Sequence, residues 1–177
     1  MIPVISLLPV KNARPFELDE QLIFFEYINT HDNLTNIRSG MDSFTFRNLV
    51  NLAFATGQRI GELLALQIGI LKKGLPPYID ISFNVASNDV IENILKEQIK
   101  HTKQNPNNKQ HFLFCNTDGS FLTHHQITDT FKNICRDLHI QDDNPKGCYI
   151  HQARHSFVTR CLEARNEHRN NCWYYRR

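Results

Sequence analysis

Hydrophobic and polar residues alternate along most of this chain with the period of an α-helix. Apolar side chains recur every three or four residues in six segments, which is the pattern of helices that bury one face. The predicted helices run from Phe16 to Asn29, from Asp42 or Ser43 to Thr56, over Ile60–Leu66, from Asp89 to Ile99, from Thr123 to Leu138 and over His151–Ala164.

Capping residues mark several helix ends. Asp42 or Ser43 is suited to begin the second helix, because a side-chain oxygen there can accept a hydrogen bond from a free backbone N–H. Gly57 ends that helix, and Thr123 can cap the fifth. In the first helix, the predicted apolar stripe includes Leu22 and Ile23.

Two segments have strand character. Tyr78–Val85 alternates apolar and polar residues after a Pro-Pro turn, and His111–Cys115 is a short apolar run followed by the turn at residues 117–119. The predicted fold class is therefore mixed α+β, predominantly helical, with a small antiparallel sheet.

Composition excludes several classes of protein. The chain has 177 residues, 41% of them hydrophobic, with only 7 Gly and 7 Pro, which argues against disordered and collagen-like chains and favours one globular domain. The formal net charge is only +2, but residues 151–177 carry six Arg against two Glu. This end is a local basic patch.

The cysteines and the lengths of the apolar runs indicate the cellular compartment of the protein. Five cysteines without a CxxC pair favour reduced thiols over a disulfide framework. The apolar start lacks a basic residue before it, and no apolar run is long enough to span a bilayer. We expect a cytoplasmic protein with no membrane partner.

One candidate phosphate-binding segment is Thr56-Gly57-Gln58-Arg59-Ile60-Gly61-Glu62-Leu63. Arg59 is predicted in the opening turn of a helix, where free N–H groups and its own planar guanidinium favour a phosphate. Glu62, three residues on, can hold Arg59 in place. A surface ion pair between Arg59 and Glu62 with no further role is the alternative.

A second candidate is His151-Gln152-Ala153-Arg154-His155-Ser156-Phe157. On a helix, His151, Arg154 and His155 share one face, while Ala153, Phe157, Cys161 and Ala164 share a face that can be buried. Two imidazoles and a guanidinium on one face can bind a phosphate. The alternative is a solvated basic face.

Together, the two segments resemble the signature motifs of the tyrosine recombinase (phage integrase) family, in its order and at about its spacing. The resemblance runs from about Phe16 to Ala164 and implies a DNA-integrating catalytic domain acting on double-stranded DNA without a cofactor or metal. It implies that Arg59 and Arg154 clamp the scissile phosphate and that His151 assists proton movement, with Glu62 and His155 as supporting residues. In this family a tyrosine forms a covalent phosphotyrosine link.

Three features depart from that family. Residues 1–15 form only a short lead segment, where the family has a DNA-clamping domain. The family's catalytic lysine lies in a hairpin after the first motif, whereas Lys72 and Lys73 precede the predicted strand, so neither is assigned that role. Residues 165–177 form an aberrant basic tail without apolar periodicity, which suggests a change of reading frame and a truncated protein. Tyr174 and Tyr175 lie too close to Arg154 to be the nucleophile. We therefore assign no nucleophile, and we expect an inactive monomer.

Two rival interpretations remain. Cys148, His151, His155 and Cys161 have spacings that can place zinc ligands on one helix. Alternatively, the chain is a DNA-binding module without catalysis, in which basic residues contact phosphates non-specifically. Those residues are the C-terminal arginines together with Lys96, Lys100, Lys103 and Lys109. His124 and His125 are predicted to be surface residues.

Overall fold

The computed structural model describes residues 14–31, 34, 40–68, 88–142, 144 and 147–167. Helices dominate this part of the chain. In chain order they are α1 (Leu18–Thr30), α2 (Ser43–Thr56), α3 (Ile60–Leu64), α4 (Asn88–Lys103), α5 (His124–Asp137) and α6 (His151–Glu167). None of the helices in these ranges is both long and apolar enough to cross a bilayer.

The helix ends follow the local capping signals. The Asp42 carboxylate accepts a hydrogen bond from the Thr45 backbone N–H at 2.8 Å, so Asp42, not Ser43, caps α2. Gly57 ends α2 in the left-handed conformation, with φ 62°. Thr123 caps α5 in a reciprocal capping box with Gln126. These ends were predicted because each depends on residues within one turn of it.

Phe16 lies before α1 instead of within it, which corrects the predicted helix start. The Glu17 side chain takes part in a capping box with Glu20, so the helix begins at Leu18. The predicted apolar stripe is also corrected, because Leu22 and Ile23 are exposed while Phe24 and Ile28 are buried. Helix α1 packs through Phe24 and Ile28, which are four residues apart and share a face.

Aromatic rings form the centre of the core. The Phe16, Phe24, Phe54 and Phe131 rings are mutually in contact, with centroid distances of 4.9 to 6.4 Å. Such edge and tilted pairs add to the stabilisation from burial alone. Helix α2 lies at the middle of the described helices and packs against α1, α3, α4 and α6. It thereby brings the end of α2 against α6.

Backbone pairing between extended segments is limited, within the described residues, to two isolated antiparallel bridges, Gln67 with Phe112 and Cys115 with Phe121. The predicted strand His111–Cys115 is therefore wrong as a continuous strand. The bridge to Gln67 is centred on Phe112, and His111 before it adopts a left-handed φ of 57° while its carbonyl accepts from the Ile68 N–H. The predicted strand Tyr78–Val85 lies outside the described residues, so the small sheet stays a prediction.

A buried polar network joins α2 and α4 to the segment that follows α4. The Gln98 side chain, fully buried, accepts a hydrogen bond from the Asn48 amide at 3.0 Å. It donates to Thr102 Oγ1 at 2.9 Å and to the Leu113 carbonyl at 3.1 Å. Because buried polar groups are costly when unpaired, this network fixes one arrangement of these elements.

Candidate functional site

Gly57 is the point at which the two candidate segments meet. A Cβ atom at Gly57 would lie 2.3 Å from Cδ1 of the Phe157 ring, so the ring of α6 packs directly on the backbone that ends α2. The left-handed φ of 62° also favours glycine at this position. The sequence Thr56-Gly57 thus serves both the end of α2 and its contact with α6.

Arg154 connects the second segment to the first. Its Nη1 donates a hydrogen bond of 2.6 Å to the Gly57 carbonyl oxygen, across 97 residues of sequence. The Arg154 side chain is partly buried, and the helix α6 that carries it packs on α2. The guanidinium is therefore held at the junction between α2 and α3.

Arg59 lies just before α3 and pairs with Glu62. The Glu62 carboxylate accepts hydrogen bonds from the Arg59 backbone N–H at 3.0 Å and from its Nη1 at 3.1 Å. The Arg59 side chain is 67% exposed. Glu62 thus pairs with Arg59, which both interpretations of this segment predict, and an exposed pair of this kind adds little stability. The guanidinium remains open to solvent on its outer side.

His151 and His155 lie one turn apart on α6 with their rings perpendicular and their centroids 5.0 Å apart. Both side chains are exposed. The pKa of His151 is lowered from its usual value, first by partial burial of the ring and then by the nearby positive charges of His155, Arg154, Arg59 and His124. His151 thus lies within a basic cluster, which we define as Arg59, His124, His151, Arg154 and His155.

His124 is the member of the basic cluster whose role sequence reasoning missed. It is exposed, as predicted, and begins α5, where its Nδ1 lies 3.2 Å from Thr128 Oγ1. Its charge nevertheless acts on His151 of α6. The Thr123 capping signal fixes where α5 begins, but only the packing of the helices brings its first residue towards α6.

The four residues of the rival zinc interpretation are not grouped as a metal site in the described part of the chain. Across the ranges that the structure describes, no three His, Cys, Asp or Glu side chains are grouped so as to hold a metal ion. Cys148 is buried and its thiol donates to the Ile140 carbonyl at 3.4 Å. It therefore points into the core, while His151 and His155 are exposed.

The basic run on α4 is partly neutralised. The Lys96 ammonium lies 2.7 Å from the Glu92 carboxylate one turn earlier, so its charge is paired within the helix. This contact weakens the case for the α4 lysines as the main phosphate-binding surface. The cluster around His151, by contrast, joins basic side chains from three elements.

Comparison with protein families identifies the chain. A family model described as the phage integrase family matches residues 28–169, which include every residue of the basic cluster. The chain belongs to the phage integrase family. The residues matched to this family extend from the end of α1 to α6 and include both candidate segments.

The fold of this integrase-family chain is that of solved tyrosine recombinases. It is similar to the XerH site-specific recombinase bound to palindromic difH substrate in a post-cleavage complex, with 23% identity and a TM-score of 0.60 over 86% of this chain and 43% of that one. It is also similar to XerH bound to difH in a pre-cleavage complex, with 22% identity and a TM-score of 0.61 over 90% and 47%.

The chain thus spans less than half the length of these recombinases. No curated protein matches this chain.

Proposed function

We propose that this integrase-family chain binds double-stranded DNA as a tyrosine recombinase catalytic domain, and that Arg59, His151 and Arg154 hold the scissile phosphate. Glu62 and His155 support them. The observation that carries the proposal is the Arg154 hydrogen bond to the Gly57 carbonyl, which joins two segments far apart in sequence at one basic surface.

The chemistry of these groups suits a phosphodiester. A transferring phosphoryl group spreads negative charge over its non-bridging oxygens, so fixed positive charge around it lowers the barrier. Of the five N–H donors of Arg154, the Gly57 bond uses one. Arg59, oriented by Glu62, adds a second planar donor group.

His151 is suited to proton transfer. Because its pKa is lowered, the imidazole is neutral at pH 7 and can accept a proton. A bound phosphate would raise that pKa by offsetting the surrounding positive charge. His151 would then hold a proton next to the phosphate oxygen, where a leaving group needs one.

The proposal includes no nucleophile. Of the tyrosines in the described ranges, Tyr27 stacks on His31 with a centroid distance of 4.4 Å, and Tyr149 lies beneath the Lys132 ammonium at 5.7 Å. Tyr174 and Tyr175 lie outside these ranges. We propose that this chain binds DNA without forming a phosphotyrosine link.

The binding proposal is tested with Arg154→Ala in salt titrations of a short fluorescent duplex. Loss of a charged donor lowers affinity about 10- to 100-fold and reduces the slope of log K against log salt by about 0.9. Arg136→Ala is the control, because Arg136 is 69% exposed at the far end of α5 and pairs with Asp137. Equal affinities of the two variants, or no duplex binding by the unsubstituted chain, would overturn the proposal.

The absence of a covalent step has its own test. The protein is incubated with a nicked duplex that traps covalent intermediates, and the products are separated under denaturing conditions. We expect no protein–DNA adduct. An adduct that disappears in Tyr174→Phe or Tyr175→Phe would identify a nucleophile and show that the chain cleaves DNA.

A further inference from the structure

A short segment before α1 runs along the side of α6. We call residues 14–16 the strap. The Gln152 amide donates to the Arg14 carbonyl at 2.9 Å, Ser156 Oγ accepts from the Phe16 N–H at 2.9 Å, and Arg160 Nη2 donates to the Phe16 carbonyl at 2.8 Å. These three α6 residues are spaced four apart, so one face of the helix holds the strap along its length.

The strap and the basic cluster lie on different sides of α6. At about 100° per residue, positions 152, 156 and 160 lie within about 80° of one another, and positions 151, 154 and 155 centre roughly 150° away. Ala153 and Phe157 lie between the two faces, with Ala153 buried and Phe157 packed on Gly57. Helix α6 is therefore held from two sides, by the strap and by the end of α2.

The strap is itself fixed to the body of the protein. The Phe16 ring is fully buried among Phe24, Phe54 and Phe131. The Arg14 guanidinium makes two hydrogen bonds of 2.7 Å to the Glu20 carboxylate of α1. A contact to the strap is thus a contact to a rigid part of the core.

Buried polar pairing gives the strap contact a single register. The Ser156 and Gln152 side chains are fully buried. Ser156 Oγ also donates to the Gln152 carbonyl, and Gln152 Oε1 accepts from the Tyr149 N–H. These two bonds lie within the α6 region and fix the two side chains on it. A shift or rotation of α6 would therefore break their bonds to the Phe16 N–H and the Arg14 carbonyl, which is costly where water does not replace them.

We propose that Gln152 and Ser156 are positioning residues, which set the rotation of α6 against the strap and so hold Arg154 at the Gly57 carbonyl and His151 within the basic cluster. The inference rests on the proposed function only where its test measures DNA binding. The geometry of the basic cluster can be measured without DNA, through the titration of the His151 ring.

The test is Ser156→Ala in the full chain, read by NMR titration of His151 and by duplex affinity. Loss of the Phe16 N–H partner loosens α6, so the His151 pKa rises towards its ordinary value and duplex affinity falls about 2- to 30-fold. Ser156→Thr, which keeps the hydroxyl, restores both. Arg160→Met, at the less buried end of the strap contact, gives a smaller shift of the His151 titration in the same direction and serves if Ser156→Ala does not fold; it is read by that titration alone, because the lost charge itself weakens DNA binding.

Ile134→Val is the control for lost stability, since Ile134 is fully buried on α5 and belongs neither to the strap nor to α6. We expect it to lower the unfolding midpoint while leaving the His151 titration unchanged. If Ser156→Ala behaves in the same way, the strap is merely structural and the inference is wrong. If the His151 titration moves but no variant affects DNA binding, the strap inference stands and the proposed function fails.

Discussion

His151 shows how one residue reports on its surroundings. Its imidazole is partly buried and lies near two guanidiniums and two further imidazoles, and each of these factors disfavours its charged form. A histidine on an isolated basic helix face would feel only the charges of its own helix. The contributions of Arg59 and His124 require the tertiary fold.

The first prediction concerns the pH response of His151. We expect its pKa, measured by NMR, to lie below the ordinary value of about 6.5 and to rise in His124→Ala. His125→Ala should leave it unchanged, because the adjacent side chain points about 100° away around α5. Equal effects of the two substitutions would show that His124 is not part of the cluster.

The same shift makes stability depend on pH. The unfolded chain binds a proton at His151 more readily than the folded chain does, so this residue lowers the free energy of unfolding as pH falls from about 6.5 through the folded-state pKa. Above that window it has no such effect. His151→Gln should therefore lose less stability on acidification than the unsubstituted chain, as chemical unfolding at several pH values would show.

At the scale of elements, the site depends on how α2 ends. Gly57 stops the helix, presents its carbonyl to Arg154 and leaves room for the Phe157 ring. These three functions rest on one backbone position without a side chain. A substitution there affects the helix end and the docking of α6 together.

Gly57→Ala should therefore destabilise the protein by about 2–5 kcal/mol, from left-handed strain and overlap with Phe157. Gly61→Ala is the matched control, since a Cβ atom at Gly61 would have no atom within 4 Å. We expect that control to be neutral or stabilising by up to about 1 kcal/mol. Urea unfolding of both variants measures the difference, and similar midpoints would contradict the packing described for Gly57.

Features set by neighbouring residues were the predictable part of the fold. Asp42, Gly57 and Thr123 act within one turn of a helix end, so the sequence located the ends of α2 and the start of α5. The buried face of α1 was misassigned because Leu22 and Phe24 are equally apolar, and only the position of the core decides between them. The strap was missed because Phe16 fits a helical period as well as a core position.

At the scale of the molecule, α2, α4 and the segment after α4 are joined by buried amides. Gln98 contacts Asn48, Thr102 and the Leu113 carbonyl, and all of these lie away from the basic cluster residues in sequence. The network joins α2 to α4 and to the segment that follows α4. None of these hydrogen bonds involves a residue of the basic cluster, so we expect the network to act on stability.

Gln98→Ala tests that role. The substitution leaves the buried Asn48 amide without its partner and opens a cavity, so the free energy of unfolding should fall by about 2–4 kcal/mol. Gln104→Ala, at an exposed position just after α4, should change it by less than about 0.5 kcal/mol. Denaturant midpoints decide, and a mild effect of Gln98→Ala would mean that water replaces the lost amide.

The bond between Arg154 and the Gly57 carbonyl spans 97 residues, and the Phe16 contact with Ser156 spans 140. Contacts so distant in sequence carry a large loop-closure entropy and form late in folding. During synthesis, α1 to α5 leave the ribosome before α6 does. The chain therefore assembles its basic cluster only in the last stage of folding. Until α6 has emerged, Arg154 and His151 are missing from the surface and the strap has no helix to bind.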